Sequence, residues 1–145
     1  MSRGCTQGGL LPLLYCLVVN ELLVRLNEGS AYAQGYADDI CLLAVGKFPN
    51  TVSGLIQWAL HTDELWCGGL GLSVNPDKTG LVAFTRKRKL TRFFEPRLFG
   101  KTLQRSMLVR YLGVILYSRL TWKEHVDVKV KKAQNSMWAL GGPVV

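Results

Sequence analysis

Gly35-Tyr36-Ala37-Asp38-Asp39-Ile40-Cys41-Leu42-Leu43-Ala44-Val45 is the stretch on which the reading of this chain turns. Two adjacent carboxylates stand between short runs with strand character, Ala31 to Gly35 before them and Ile40 to Val45 after them. The second run is apolar throughout, as a strand buried on both faces should be. The simplest arrangement is a β-hairpin with Asp38 and Asp39 at its tip. Two neighbouring carboxylates concentrate negative charge that is costly if uncompensated. A divalent cation compensates it, and oxygen-only ligands favour magnesium or manganese. A bare Asp-Asp pair is more often an ordinary turn. The aromatic and small residues before this pair, and the apolar strand after it, set it apart.

Working upstream, Gly4-Cys5-Thr6-Gln7-Gly8-Gly9 reads as a loop whose backbone can approach a partner closely. Pro12 suits the first turn of a helix. From Leu13 the apolar residues Leu14, Leu17, Val18, Leu22, Leu23 and Leu26 recur at helical spacing until Asn27-Glu28-Gly29 supply a stop. Downstream, a second helix is expected from Thr51 to Cys67, with Leu55, Ile56, Ala59, Leu60 and Trp66 in the core and Gly68, Gly69 and Gly71 at its end. Leu72 to Val74 and Gly80 to Phe84 read as strands joined by the turn Asn75-Pro76-Asp77-Lys78. Further short strands are expected at Arg97 to Phe99, Thr102 to Gln104 and Val109 to Leu116, with Gly100-Lys101 turning the first pair. A last helix begins at Thr121, whose spacing to Glu124 is that of a capping box. Trp122, Val126, Val130, Ala133 and Met137 give that helix an apolar stripe, and Lys123, Lys129, Lys131 and Lys132 make it cationic.

Composition bounds the function. A hydrophobic content of 48% supports a packed core, and 145 residues fit one domain or part of one. Eighteen Lys and Arg against ten Asp and Glu give a net charge of +8, which suits either a nucleic-acid partner or a merely cationic surface. Cys5, Cys16, Cys41 and Cys67 form no C-x-x-C pair, and His61 and His125 are not spaced to join them around zinc, so reduced thiols are expected. Arg3, the apolar run Leu10 to Val19 and Ala31-Tyr32-Ala33 outline a secretory signal. Glu21, Arg25 and Glu28 interrupt that outline, and the run is too short to span a bilayer. The expectation is an intracellular protein, in cytoplasm or nucleus, with no membrane segment.

Four elements in order carry a family resemblance. Tyr36-Ala37-Asp38-Asp39 resembles the catalytic signature of reverse transcriptases, and Gly4-Cys5-Thr6-Gln7-Gly8-Gly9 resembles their Pro-Gln-Gly loop with Thr6 in place of proline. Asn75-Pro76-Asp77-Lys78-Thr79 resembles their Asn-x-x-Lys-Thr element, and Tyr111-Leu112-Gly113-Val114 the Tyr-Leu-Gly element of the primer grip. The resemblance is nearest to the enzymes of non-long-terminal-repeat retrotransposons of the jockey type. It implies an α+β fold: residues 1–116 as the C-terminal part of a palm, an antiparallel sheet carrying the catalytic hairpin with helices on one face, and residues 117–145 as the start of a thumb. It implies RNA-directed DNA polymerisation through two metal ions, Mg2+ or Mn2+. The partners it implies are an RNA template, a DNA primer and deoxynucleoside triphosphates, with no membrane and no small-molecule cofactor. Asp38 and Asp39 would be the catalytic metal ligands. Gln7, Gly8, Tyr36 and Lys78 would meet template and nucleotide, and Leu112 and Gly113 the primer.

The pattern also departs from the family. The resemblance implies a third carboxylate on a strand upstream of the Gln-Gly loop, and here that loop follows Met1 almost directly. Leu10-Leu11-Pro12 is one residue shorter than the family's Val-Leu-Ser-Pro, and Tyr117 stands where an aspartate is common. Weak or absent polymerase activity is therefore expected of this chain alone. The alternative is a non-enzymatic remnant, or a domesticated fragment that binds nucleic acid through its basic surface.

Overall fold

The computed structural model describes residues 11–29, 31–87 and 89–139. The loop at 4–9, with Gln7 and Gly8, lies outside them. The elements in chain order are α1 (Leu11–Glu28), β1 (Tyr32–Tyr36), β2 (Asp39–Leu43), α2 (Pro49–Leu70), a 3-10 turn (Pro76–Lys78), β3 (Leu81–Val82), β4 (Arg97–Leu98), β5 (Lys101–Thr102), β6 (Arg105–Ser106), β7 (Leu108–Tyr111), β8 (Val114–Tyr117) and α3 (Lys123–Ala139). They form two compact units, Met1–Pro76 with Leu90–Leu103, and Asp77–Lys89 with Gln104–Val145.

The first unit holds the expected hairpin. β1 and β2 pair antiparallel, Ala33 opposite Leu42 and Gly35 opposite Ile40. Because strand side chains alternate, these four residues share the inner face. Val19, Leu22 and Leu26 of α1, Ala31 and Ala33, and Ala59, Trp66 and Cys67 of α2 form the core, with Leu23, Ile40, Leu42 and Val74 packed against it. Full burial of Leu22 and of Leu26 contributes about 1.5–3 kcal/mol each. Helix α2 starts with Pro49 in its first turn and ends at Gly71, whose φ of 66° lets the Leu72 N–H return to the Cys67 carbonyl. Gln57 and Glu64, two turns apart on α2, fasten β4. Gln57 exchanges two hydrogen bonds with the Arg97 backbone (2.7 and 3.0 Å), and Glu64 accepts from the Phe99 N–H.

In the second unit, β7 and β8 form an antiparallel hairpin, β3 pairs parallel with β6, and α3 packs on β8. The Ile115 N–H donates to His125 Nδ1 at 3.1 Å, so an imidazole rather than an apolar knob fixes the helix there.

The α+β class stands, but several details differ from the sequence reading. One antiparallel sheet was expected; the described residues form four two-stranded pairs, three antiparallel and one parallel. The β2 strand is only half buried, with Leu43 exposed, because core covers one face alone. Leu72 to Val74 is no strand: the chain leaves the αL cap of α2 irregularly and Val74 is drawn into the core. Val109 to Leu116 is a hairpin, because Leu112 and Gly113 take φ of 47° and 78° and reverse the chain. The turn between β4 and β5 is Phe99-Gly100, one residue earlier than expected. Helix α1 buries Val19, Leu22 and Leu26, while Leu14, Leu17 and Val18 remain exposed. Trp122, just before α3, and Val126, Val130 and Met137 of α3 are likewise exposed. The Glu124 side chain of the expected capping box lies outside the described residues.

Candidate active site at the Asp38-Asp39 hairpin

Tyr36 pairs with Asp39, so Ala37 and Asp38 alone make the turn. A two-residue hairpin loop needs a positive φ at its first position, which glycine or asparagine usually supplies. Here Ala37 supplies it, at φ 50°. The left-handed region costs an L-residue of this kind about 1–2 kcal/mol. The cost is borne because both flanking strands are paired and α1 lies beneath them. A Cβ on Gly35 would come within 3.2 Å of Leu23 Cδ1 and 3.9 Å of Val19 Cγ1, so the small residue lets the hairpin settle onto the helix.

Cross-strand partners project to the same side, so Tyr36 and Asp39 share the outer face, away from α1. Both are exposed, as is Asp38. Among the described residues neither carboxylate enters an ion pair, whereas Arg25 pairs with Glu21 and His61 with Glu64. Two hard oxygen donors at a held bend, with no lysine or arginine ion-paired to them among the described residues, have the donor chemistry that a magnesium or manganese ion takes. Among the described residues no group of three His, Cys, Asp or Glu gathers around them or elsewhere.

Two residues that bear on the hairpin escaped the sequence reading. Asn27, read only as a helix stop, donates from Nδ2 to the carbonyls of Leu23 (2.8 Å) and Ala33 (2.9 Å), and its Oδ1 accepts the Ala33 N–H (3.0 Å). It ties the end of α1 to the strand that leads to the acids. Tyr15 lies on the first turns of α1, and its phenol is held above the usual tyrosine value, first by burial and then by the negative charge of Asp38. No sequence pattern marks either role.

The other expected site residues are distributed as follows. Lys78 ends the 3-10 turn, is exposed, and belongs to the second unit, as does the Leu112-Gly113 turn. Tyr36 belongs to the first unit with the acids. No helix among the described residues is long and apolar enough to cross a membrane.

Comparison with known proteins finds relatives of one kind. The chain is related to RNA-directed DNA polymerases of mobile elements. It is 32% identical over 97% of its length to the probable RNA-directed DNA polymerase from transposon BS of Drosophila melanogaster. It is 28% identical over 90% of its length to a Pol polyprotein from the type-1 retrotransposable element R1 2 of Nasonia vitripennis. It is 28% identical over 87% of its length to the RNA-directed DNA polymerase from mobile element jockey of Drosophila funebris. The relatives come from retrotransposons without long terminal repeats, the jockey element among them. The chain spans 16%, 33% and 14% of the length of these three relatives. No family model matches the chain, and no solved structure does so either.

Proposed function

We propose that this chain is the acid-bearing part of a reverse transcriptase palm, acting in RNA-directed nucleotidyl transfer. The observation that carries the reading is the geometry of Asp38 and Asp39: adjacent, exposed, without a cationic partner among the described residues, and held at a strained two-residue turn. Backbone strain kept by surrounding pairing is a mark of functional sites.

In this reading Asp38 and Asp39 hold Mg2+ or Mn2+. When bound, such ions polarise the phosphoryl group and lower the pKa of an attacking hydroxyl. The residues of the chain then have separate tasks. The outer face of the hairpin, with Tyr36 beside Asp39, meets the incoming deoxynucleoside triphosphate and the template. Gln7 and Gly8 line the same nascent base pair. Lys78 offers a cation to the departing pyrophosphate. Leu112 and Gly113 bear on the DNA primer; the exposure of Leu112 at a positive-φ turn supports a contact role over a core role. Palm residues 1–116 and thumb residues 117–145 remain the division the resemblance suggests.

With two acids and, among the described residues, no third metal-ligating group gathered with them, the chain alone should extend a primer weakly or not at all. The test is magnesium-dependent extension of a DNA primer on an RNA template, with Asp38→Asn and Asp39→Asn controls. Any extension should vanish in both variants. Extension that persists in both contradicts the catalytic assignment.

A further inference from the structure

The buried stripe of α1 ends in a polar side chain. Val19, Leu22 and Leu26 are 4%, 0% and 0% exposed, and Tyr15 precedes Val19 by one turn on the same stripe. Tyr15 is 41% exposed, at the rim where the stripe leaves the core. What stands over it follows from the contacts further along the helix. Asn27 is bonded to Ala33, and a Cβ on Gly35 would meet Leu23 and Val19. Helix α1 therefore runs antiparallel to β1. One turn back along the helix, about 6 Å, matches two residues forward along the strand, about 6.7 Å. The next turn back from Val19 is Tyr15, and the next residues beyond Gly35 and Tyr36 are Ala37 and Asp38 at the tip. The phenol is held above the usual tyrosine value by burial first and then by the charge of Asp38, so the acid is within electrostatic reach. Helix α2 agrees with this placement: Trp58 lies against Gly29 at the far end of α1, while Cys67, further along α2, is felt at Tyr15.

The two acids are not held alike. Asp39 lies on a paired strand opposite Tyr36, whereas Asp38 is in the turn itself, exposed and without an ion pair among the described residues. A carboxylate that ligates a metal is ordinarily fixed by a hydrogen-bonding group behind it, which sets its rotamer and leaves an oxygen for the cation. A phenol O–H is such a donor at neutral pH. The two side chains make no direct hydrogen bond, and a polar pair beyond that reach in a solvated site is joined by water. We propose that Tyr15 is a positioning residue of the acid site: from beneath the turn its hydroxyl donates, through one bridging water, to the Asp38 carboxylate and sets which oxygen faces the cation. Asp39 thus takes its orientation from the sheet and Asp38 from the helix. This deepens the proposed function and rests on its metal-binding part.

The test uses the full chain, isotope-labelled, with Mn2+ as the probe. Tyr15→Phe keeps the ring and removes only the donor. It should melt with the parent and bind Mn2+ at the hairpin tip about tenfold more weakly. A second measurement needs no metal: Asp38→Asn should move the Tyr15 Cζ resonance, and Asp39→Asn should move it less. Equal Mn2+ affinity in Tyr15→Phe and parent overturns the inference and leaves the acid pair standing as a metal site. A Tyr15 Cζ resonance that ignores Asp38→Asn does the same. A parent that binds no Mn2+ at the tip while the Cζ response is intact supports the hold of Tyr15 on Asp38 and fails the metal reading alone.

Discussion

Asn27 and Ala33 are joined as two strands would be, with a side-chain amide taking the place of one backbone. Asn27 Nδ2 donates to the Ala33 carbonyl and Asn27 Oδ1 accepts the Ala33 N–H, at 2.9 and 3.0 Å. Ala33 is buried and lies on the strand that ends beside the acid pair. The amide therefore fixes where the hairpin starts relative to α1.

Removing that amide leaves the Ala33 backbone groups without their partner. Asn27→Ala should cost about 1–3 kcal/mol in urea unfolding, and amide exchange at Ala33 should quicken. Asn27→Asp should fare no better, because it keeps the acceptor and loses the donor to two carbonyls. A stability unchanged in both variants would remove Asn27 from the account.

The two turns should respond oppositely to residues that tolerate positive φ and those that do not. Leu112→Asn should stabilise the chain by about 0.5–1 kcal/mol, since asparagine tolerates the φ of 47° that leucine adopts under strain. Ala37→Val should destabilise by at least about 1 kcal/mol, because branching at Cβ worsens the conformation at φ 50°. Thermal melts of the pair check both signs.

Asp63 on α2 is buried, with the thiol of Cys67 one turn away at 3.8 Å as its partner. Burial raises its pKa, outweighing the thiol hydrogen bond, which lowers it. A carboxyl that holds its proton more tightly when folded contributes stability at pH below its unfolded value of about 3.9. That contribution is lost as pH rises through the folded value. Asp63→Asn should therefore be more stable than the parent at neutral pH, with the advantage shrinking on acidification. The pH dependence of the urea midpoint for the two proteins measures this, and a parent that stabilises with rising pH relative to the variant contradicts it.

Burial, and then the Asp63 charge beside it, pushes the Cys67 thiol up to about 11. At pH 8 it should remain protonated and resist iodoacetamide, while the exposed Cys16 reacts before it. Peptide mapping of partially alkylated protein gives the order, and early labelling of Cys67 in folded protein would contradict this packing.

The legible part of the fold was the part set by local pattern. The 3.6-residue spacing of Leu22 and Leu26, the glycine end of α2 at Gly71, and the turn between two short runs all depend on neighbours in sequence, whereas α2 starts at Pro49 and not at Thr51. The strand expected from Val109 to Leu116 failed because Leu112 is apolar and gives no turn signal; only Gly113 hinted at the reversal. The parallel pairing of β3 with β6, and the ties from Gln57 and Glu64 to β4, join residues far apart in the chain and leave no trace in periodicity. At the site, the acid pair declared itself through its flanks. Asn27 and Tyr15 did not, since their roles come from the packing of α1 beneath the hairpin.

The central claim is that Asp38 and Asp39 grip a divalent ion at the hairpin tip. The most direct measurement is the nitrogen–proton correlation spectrum of the chain titrated with Mn2+. Broadening should appear first at Tyr36 to Ile40 and disappear in the Asp38→Asn, Asp39→Asn double variant. Uniform broadening, or broadening elsewhere that survives the double variant, would contradict the account.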